Sequence, residues 1–499
     1  MNTYTQTVLK PVKINWEGSL FVHHSLGMVN RELLSELILD NRLSLGHVAY
    51  EQDQFLPEHN SKYQNLLKIH NRRVDGATVH IRHRWPPDFN RPDVEKFILM
   101  QPWEYGSLPV EWMDKIQENV DEVWVYTSYL KMCYVRCGIP EEKVHVVPCG
   151  VDPLQFNPRK EPLKLVKDAA NERFCFLFNG GTTLRKGIDI LINAYLSEFK
   201  ADEPVCLFIK DSPVYAKGLA PRIKELSLRN DIASIFYTDE NIDHSDLAGL
   251  YTACDCYVHP YRAEGYGLPV AEAMACGKPV IVTGAGACLD FVEPDNAFFI
   301  KSNLEKMKEK NVSGMLTVDF PFWFVPDMKH LQSVMRFVYR NQQHARELGV
   351  RAGEGIRSDH TWKHSATRAS ERIIAVATSN TESIWQLTAA ADNYLQVGDM
   401  ENAAVLYQKM LALFGENGTA YQGLGIAAFQ KKQYEESFEL FRRANLLMPD
   451  ASDVLQKWYE VAVFLGRTDE LVKPARRALE ISGGDYRLKE IAMNLNLSK

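Results

Sequence analysis

The chain lacks any apolar run of the ~18–20 residues that span a bilayer. Its start, Met1 to Lys13, is polar and has no signal-peptide hydrophobic stretch. It also lacks a basic excess. Lys and Arg number 57 against 64 Asp and Glu, a formal charge of −7, so there is no global footprint for nucleic acid, although a single basic cleft is compatible with that balance. Cysteine pairing is absent too. The nine cysteines are odd in number and fall mostly in apolar strand-like or helix-like segments, which predicts free buried thiols. Cys133-x3-Cys137 and Cys254-x-Cys256 have no partner pairs, and His360 and His364 have no third ligand, so no metal site is expected. These absences predict a cytoplasmic chain without a transmembrane segment, with peripheral contact at a membrane as the remaining alternative.

What is present is ordinary globular material: 45% hydrophobic and 24% charged residues, which argues against a mainly disordered chain. At ~100–200 residues per domain, 499 residues predict about three. The first 380 residues alternate strand and helix. Short apolar or β-branched runs fall at Ser19–Val22, Val48–Glu51, Thr78–Ile81, Phe97–Met100, Glu122–Tyr126 and Val144–Val147. A second series falls at Phe174–Phe178, Val205–Ile209, Ile235–Tyr237, Cys256–His259 and Pro279–Thr283, followed by a helical tail, Leu331–Thr378. Such alternation predicts parallel sheets covered by helices, hence two Rossmann-like domains, 1–160 and 161–378. The proline-rich segment Asp152–Leu163 is the expected linker.

The last 120 residues are helical in period and repeat. Gly398–Ala403, Lys432–Ser437 and Gly466–Leu471 align at successive offsets of 34, Tyr407 aligns with Phe441, and Pro449 closes the second unit. A 34-residue period with two helices per unit resembles the tetratricopeptide repeat. About three stacked units are expected within 384–499, the last one degenerate or capping.

Two loops carry the chemistry. In the first, the strand Cys256–Val258 leads through His259–Arg262 into Glu264-Gly265-Tyr266-Gly267-Leu268-Pro269-Val270-Ala271-Glu272. Pro269 suits the first turn of a helix and Gly277 its end. The free N–H groups of a glycine-rich turn and helix start form an anion site, and Gly265 and Gly267 allow a ligand close to the backbone. Two carboxylates beside that site, Glu264 and Glu272, suit a phosphate joined to hydroxylated rings, whose hydroxyls they accept. In the second, Phe178-Asn179-Gly180-Gly181-Thr182-Thr183-Leu184-Arg185-Lys186-Gly187 follows the first strand of the second series. Its glycines, threonines and adjacent cations suit a diphosphate, and its spacing is not that of a Walker loop.

On these residues the chain resembles glycosyltransferase family 4. Glu264 to Glu272 is its E-x7-E motif, Asn179–Asp189 looks like its phosphate loop, and Gly277–Gly284 and Val146–Asp152 are also similar to it. The likeness covers nearly all of residues 10–378. It implies the two-Rossmann GT-B architecture, here followed by the all-α repeat domain, and retaining, metal-independent transfer of a sugar from a nucleotide-diphosphate sugar to an acceptor hydroxyl. The nucleotide-sugar is a substrate, so no cofactor is implied. By the same resemblance Lys186 matches the phosphate-binding lysine, Glu264 the glutamate near the donor sugar and Glu272 the one on the ribose. Gly180, Gly181, Thr182, Gly265, Tyr266, Gly267 and Leu268 fall in the donor-binding loops. The family places an arginine where this chain has Gly181, and Arg185 is the nearest guanidinium to replace it. In the first domain the resemblance implies a histidine near the transferred sugar. His83 in Val79–Pro87 is the best match and His80, inside the strand, the alternative. Gln101 stands where relatives carry another histidine. Glu104 either orients an acceptor hydroxyl or caps the next helix, and Ser25 either caps a helix or lies where backbone amides face ligand. The implied partners are the nucleotide-sugar donor, a glycan, lipid-linked or protein acceptor, and a protein held by the repeats. The competing reading is a repeat-based adaptor with an inactive transferase half, and a third is a GT-B epimerase or phosphorylase.

Overall fold

The computed structural model describes residues 10–56, 61–212, 218–243, 245–378, 384–449, 451–482, 486–495 and 497. The chain divides into two compact units, 1–379 and 380–499. The first contains two six-stranded parallel sheets. In the first lobe β1 (Val12–Gly18), β2 (Leu43–Ala49), β3 (Val79–His83), β4 (Lys96–Met100), β5 (Glu122–Val125) and β6 (Val144–Val146) run in the order 2-1-3-4-5-6. In the second, β7 (Phe174–Asn179), β8 (Val205–Lys210), β9 (Ser234–Thr238), β10 (Cys256–His259), β11 (Val280–Thr283) and β12 (Phe298–Ile300) run in the order 12-11-10-7-8-9. The fold is thus α/β with two Rossmann-like lobes. Every residue of β3, β4, β5, β10 and β11 is buried, as expected of strands with helices on both faces. All nine cysteines are unpaired, and eight are buried.

Two strands differ from the sequence pattern: Val48–Glu51 overlaps only the last two residues of β2, Leu43–Ala49, and Ser19–Val22 misses β1. Ser19–Val22 is a bent segment, and the strand is the preceding Val12–Gly18. Lys13, Asn15 and Glu17 interrupt its apolar pattern, yet each finds a partner within the protein, Lys13 by donating from Nζ to Asp75 O at 2.8 Å. Asn15 Oδ1 accepts the Val74 N–H at 2.8 Å, and Glu17 binds Arg82 Nε at 2.9 Å and His80 at 3.0 Å. The buried Leu20, Phe21 and Val22 still belong to the core, but in a turn.

A further difference bears on the site. Between β12 and the helical tail the chain forms a hairpin arm, in which β13 (Ser302–Lys306) pairs antiparallel with β16 (Phe322–Pro326). Its tip pairs β14 (Asn311–Val312) with β15 (Met315–Leu316) around Ser313 and Gly314, both at positive φ. The arm reaches the first lobe. Val318 N–H donates to Leu108 O and Phe322 N–H to Tyr105 O, each at 2.9 Å, and Asp319 N–H donates to Ser107 Oγ at 2.8 Å. The tail itself is three helices, Met328–Arg340, Gln342–Asp359 and Trp362–Thr378. The last returns to the first lobe, where Ser370 Oγ donates to Asp40 and Arg372 pairs with Glu122.

The second unit, among its described residues, is helical. Helices begin at Ile384, Gly418, Ser452 and Tyr486, each 34 residues after the last, with Met400–Phe414, Tyr434–Leu447 and Val472–Ser482 between them. Close packing uses glycine against aromatic rings: a Cβ on Gly423 would lie 2.2 Å from the Tyr407 ring and one on Gly425 3.1 Å from Phe441. No described helix is long and apolar enough to cross a membrane.

Candidate active site

Both motif loops leave the carboxyl ends of neighbouring strands, β7 and β10, which puts them side by side. After β7 one tight turn, Leu184–Lys186, presents the two cations and ends at Gly187. Gly187 has φ +75°, and any Cβ there would lie 1.8 Å from the Pro260 carbonyl oxygen. Only glycine lets the two loops press together so closely. They are further tied by Arg262, which grips Asp189 with two bonds of 2.7 Å while its amide donates to Arg185 O at 2.7 Å. The E-x7-E loop turns at Gly267, φ +101°, where a Cβ would meet Cys288 Sγ at 2.4 Å, and enters the helix Leu268–Ala275 with Pro269 in its first turn. The N–H groups of Gly265, Tyr266, Gly267 and Leu268 have no acceptor among the described residues. They stand with the positive end of that helix.

Glu264 is the electrostatic centre. It is buried. Lys186 Nζ donates to its Oε1, His259 Nε2 lies 2.7 Å from the same oxygen, and Arg185 Nη1 lies 3.7 Å from Oε2. Burial alone would raise the Glu264 carboxyl, but the Lys186 charge and the His259 bond hold it well below the usual range. Burial lowers Lys186, opposed by Glu264. Arg185 also reaches across the cleft, its Nη1 3.0 Å from Glu104 and 2.9 Å from Ala263 O. Glu272 has the opposite environment. It is buried and lines a small cavity with Met28, Glu32 and Trp362, accepts from the Tyr251 hydroxyl at 2.5 Å, and burial pushes it up to about 7. Asn179 Nδ2 donates to Tyr251 Oη at 2.8 Å, linking the start of the phosphate loop to Glu272.

The first-lobe candidates are arranged differently from expectation. His83 is the last residue of β3, not a loop residue, and is 1% exposed. Asn30 spends its amide N–H on the Ser19 and His83 carbonyls, so its oxygen accepts from His83 Nδ1–H at 2.6 Å. His83 Nε2 then accepts from the Tyr126 hydroxyl at 2.6 Å. Burial pushes the imidazole down to about 3, so it stays neutral. It forms the floor beneath Tyr126, whose ring lies 3.6 Å from where a Gly265 side chain would start. His80 is a core residue bound to Glu17. Gln101 is buried, its Nε2 donating to Pro102 O at 3.1 Å, and its Oε1 has no partner among the described residues. Glu104 caps nothing, because the next helix begins after Pro109. Ser25 does not cap its helix either. The cap is His24, whose ring accepts the Gly27 N–H at 3.3 Å.

Within the phosphate loop the contributions are uneven. Gly180 N–H donates to Lys210 O at 3.0 Å, and the Thr182 amide and hydroxyl both go to Asp211, at 2.9 and 2.6 Å. Thr182 therefore braces the loop instead of facing a ligand. Gly181 N–H and the buried Thr183 hydroxyl have no partner among the described residues. Tyr266 is buried and stacks on Phe291 at 4.9 Å, so only its backbone points to the cleft. His259, Tyr251, Asn179, Tyr126 and Asn30 were not singled out from sequence. His259 and Asn179 stand at the ends of the strands that feed the two loops, which was the available signal. Among the described residues no group of three or more His, Cys, Asp or Glu is placed to hold a metal.

Residues 160–316 match the family model described as "Glycosyl transferases group 1". The chain is similar to the MMP alpha-(1->4)-mannosyltransferase of Mycolicibacterium hassiacum, 29% identical over 198 residues, which is 40% of this chain and 44% of that one. It is 30% identical over 155 residues to D-inositol 3-phosphate glycosyltransferase 1 of Catenulispora acidiphila, 30% of this chain and 37% of that one. The match thus spans less than half the length of these curated relatives. In fold, the chain is similar to HepE of Anabaena in complex with UDP and glucose, with TM-score 0.51 and 13% identity, covering 73% of this chain and all of that one. It is likewise similar to sucrose-phosphate synthase of Thermosynechococcus elongatus, with TM-score 0.52 and 17% identity, covering 73% and 99%. The two lobes therefore have the GT-B fold, and the segment that carries both motif loops matches the group 1 glycosyltransferases.

Proposed function

We propose that the chain is a retaining, metal-independent glycosyltransferase that moves a sugar from a nucleotide-diphosphate sugar to an acceptor hydroxyl. The observation that carries this reading is the Arg185–Lys186 pair on Glu264, set beside the unpaired amides of Gly265–Leu268. Cleaving the bond between anomeric carbon and phosphate builds negative charge on the departing diphosphate. Lys186, Arg185 and those amides are fixed in place to receive it, and losing one donor from such a site typically costs ~2.7–4 kcal/mol of barrier. Glu264 holds the two cations at the working position and Glu272 accepts ribose hydroxyls. His83 acts from beneath through Tyr126, since an imidazole this buried is no proton acceptor for a ligand. The acceptor hydroxyl attacks from the face the phosphate leaves, and a phosphate oxygen takes its proton. The 380–499 unit is read as tetratricopeptide-like repeats that hold a protein partner or a macromolecular acceptor, supported by the 34-residue spacing of its helices.

Screening the melting temperature against UDP-, GDP- and ADP-sugars identifies the donor, since a ligand at 100 times its Kd stabilises by ~2.7 kcal/mol. NMR of the product then reads the anomeric configuration, with and without EDTA. Inversion, or loss of transfer in EDTA, refutes the corresponding part. A protein that binds no nucleoside diphosphate at millimolar concentration is the adaptor of the competing reading.

A further inference from the structure

We infer that Glu104 is an internal competitor for the donor diphosphate: its carboxylate and a phosphate oxygen exchange as ion-pair partners of the Arg185 guanidinium, so donor binding moves Glu104 off it. The inference rests on the donor reading above and adds a regulating residue to it, from the opposite lobe.

Three observations carry it. The first is the contact: Glu104 lies 3.0 Å from Arg185 Nη1 across the cleft, and both side chains are partly exposed, at 20% and 23%, so a soluble anion can reach them. The second is charge. Arg185 and Lys186 are matched one for one by Glu104 and Glu264, so the phosphate-binding corner is neutral rather than positive. Glu264 is buried and bound to both Lys186 and His259, so it is the fixed member. Glu104, on the rim, is the one that an entering diphosphate can displace. The third is mechanical. The loop that carries Glu104 is pinned by the hairpin arm of the second lobe, through Tyr105 O to Phe322 N–H, Ser107 Oγ to Asp319 N–H and Leu108 O to Val318 N–H. Gly106, φ +77°, sits on the Phe322 ring so closely that a Cβ would lie 2.4 Å from it. The loop is held by the lobe that also carries Arg185. Exchange therefore requires rotation of the Glu104 side chain alone, without opening the lobes.

A partly exposed ion pair of this kind is worth up to about 1 kcal/mol, which is about a fivefold change in Kd. The test is calorimetric titration of the full chain with UDP, GDP and ADP and the matching nucleosides, using wild type, E104Q, R185Q and the double variant. E104Q is expected to bind its diphosphate about fivefold more tightly and the nucleoside unchanged, and the gain is expected to vanish in the R185Q background. Equal or weaker diphosphate binding by E104Q overturns the exchange while leaving the donor reading intact, as does a gain that survives R185Q. If neither wild type nor any variant binds a diphosphate, the donor reading itself falls and the exchange with it. Should E104Q fail to fold, E104D, with its carboxylate one methylene further from Arg185, is expected to show a smaller gain of the same sign.

Discussion

Glu272 makes stability depend on pH in a direction opposite to most carboxylates. An ordinary glutamate titrates near 4.5, and burial pushes this one up to about 7. Below pH 4.5 the group is protonated whether the chain is folded or not. Between 4.5 and 7 the folded protein keeps a proton that the unfolded chain has released, so each pH unit gained costs about 1.4 kcal/mol of stability. Above 7 both states are ionised, and the accumulated loss is about 3 kcal/mol. Glutamine at 272 keeps the shape and the contact to Tyr251 but does not titrate. Urea unfolding of wild type and E272Q at pH 5, 6, 7 and 8 isolates the effect, because contributions shared by the two proteins cancel in the difference. The stability of E272Q relative to wild type is expected to climb by about 3 kcal/mol across that range, levelling off above pH 7. Parallel curves would show that the carboxyl is ionised in the folded protein throughout, and the burial argument would fail. The same property marks ligand binding. If ribose hydroxyls donate to Glu272 they favour its charged form, so nucleotide binding near pH 6.5 is expected to release a proton. Calorimetry in buffers of differing ionisation enthalpy measures that release, and its absence separates Glu272 from the ribose.

Lys186→Met leaves Glu264 buried with only His259 and Arg185 nearby, which is expected to cost ~3–5 kcal/mol in thermal or urea unfolding and at least ~100-fold in transfer rate. Gly187→Ala places a methyl 1.8 Å from the Pro260 carbonyl at a positive φ; we expect a loss of more than ~2 kcal/mol, read as a lowered melting temperature, and weaker nucleotide binding as the loops part. Gly423→Ala drives a methyl to 2.2 Å from the Tyr407 ring and is expected to destabilise the helical unit by ~1–3 kcal/mol, seen as increased proteolysis within 384–495, while donor binding is unchanged.

The parts of the fold legible in sequence were those where local pattern and tertiary environment agree. Strands buried on both faces, such as Phe97–Met100 and Cys256–His259, are continuous apolar runs and were located within a residue or two. The motif loops were legible because glycine and proline fix backbone shape locally. β1 was not, because its Asn15 and Glu17 look like surface residues until Val74, His80 and Arg82 supply partners some 60 positions away. The arm at 302–326 was missed for a related reason: Lys306, Lys308, Glu309 and Lys310 break its pattern, and its anchors, Tyr105 to Leu108, lie in the other lobe. The burial of His83 depends on Asn30 and Tyr126, brought to it by two separate crossovers. No window of sequence contains that triad.

The two carboxylates of the E-x7-E motif sit eight positions apart, yet their surroundings drive them to opposite states. Glu264 meets two cations and a histidine, which hold its carboxyl well below the usual carboxylate range. Its share of stability is present above its ordinary pKa of 4.5 and is lost only as pH falls well below it. Glu272 meets a hydroxyl and, away from any cation, a cavity it shares with the Glu32 carboxylate, and burial balances it near neutrality. Environments that push paired carboxyls apart assign their roles. A carboxylate that Lys186 and His259 hold charged is a poor acceptor for an incoming proton, so Glu264 does not serve as general base. His83, neutral with both ring nitrogens bonded, does not serve either. With both set aside, the proposed mechanism gives the proton of the acceptor hydroxyl to the departing phosphate, and in that proposal attack comes from the face the phosphate leaves. The retention proposed above is compatible with how these two side chains are buried. Replacing Glu264 with Gln tests the exclusion directly. If Glu264 only holds the cations, the pH–rate profile of E264Q keeps its shape while kcat falls; if Glu264 were the base, the limb that reports its ionisation would disappear.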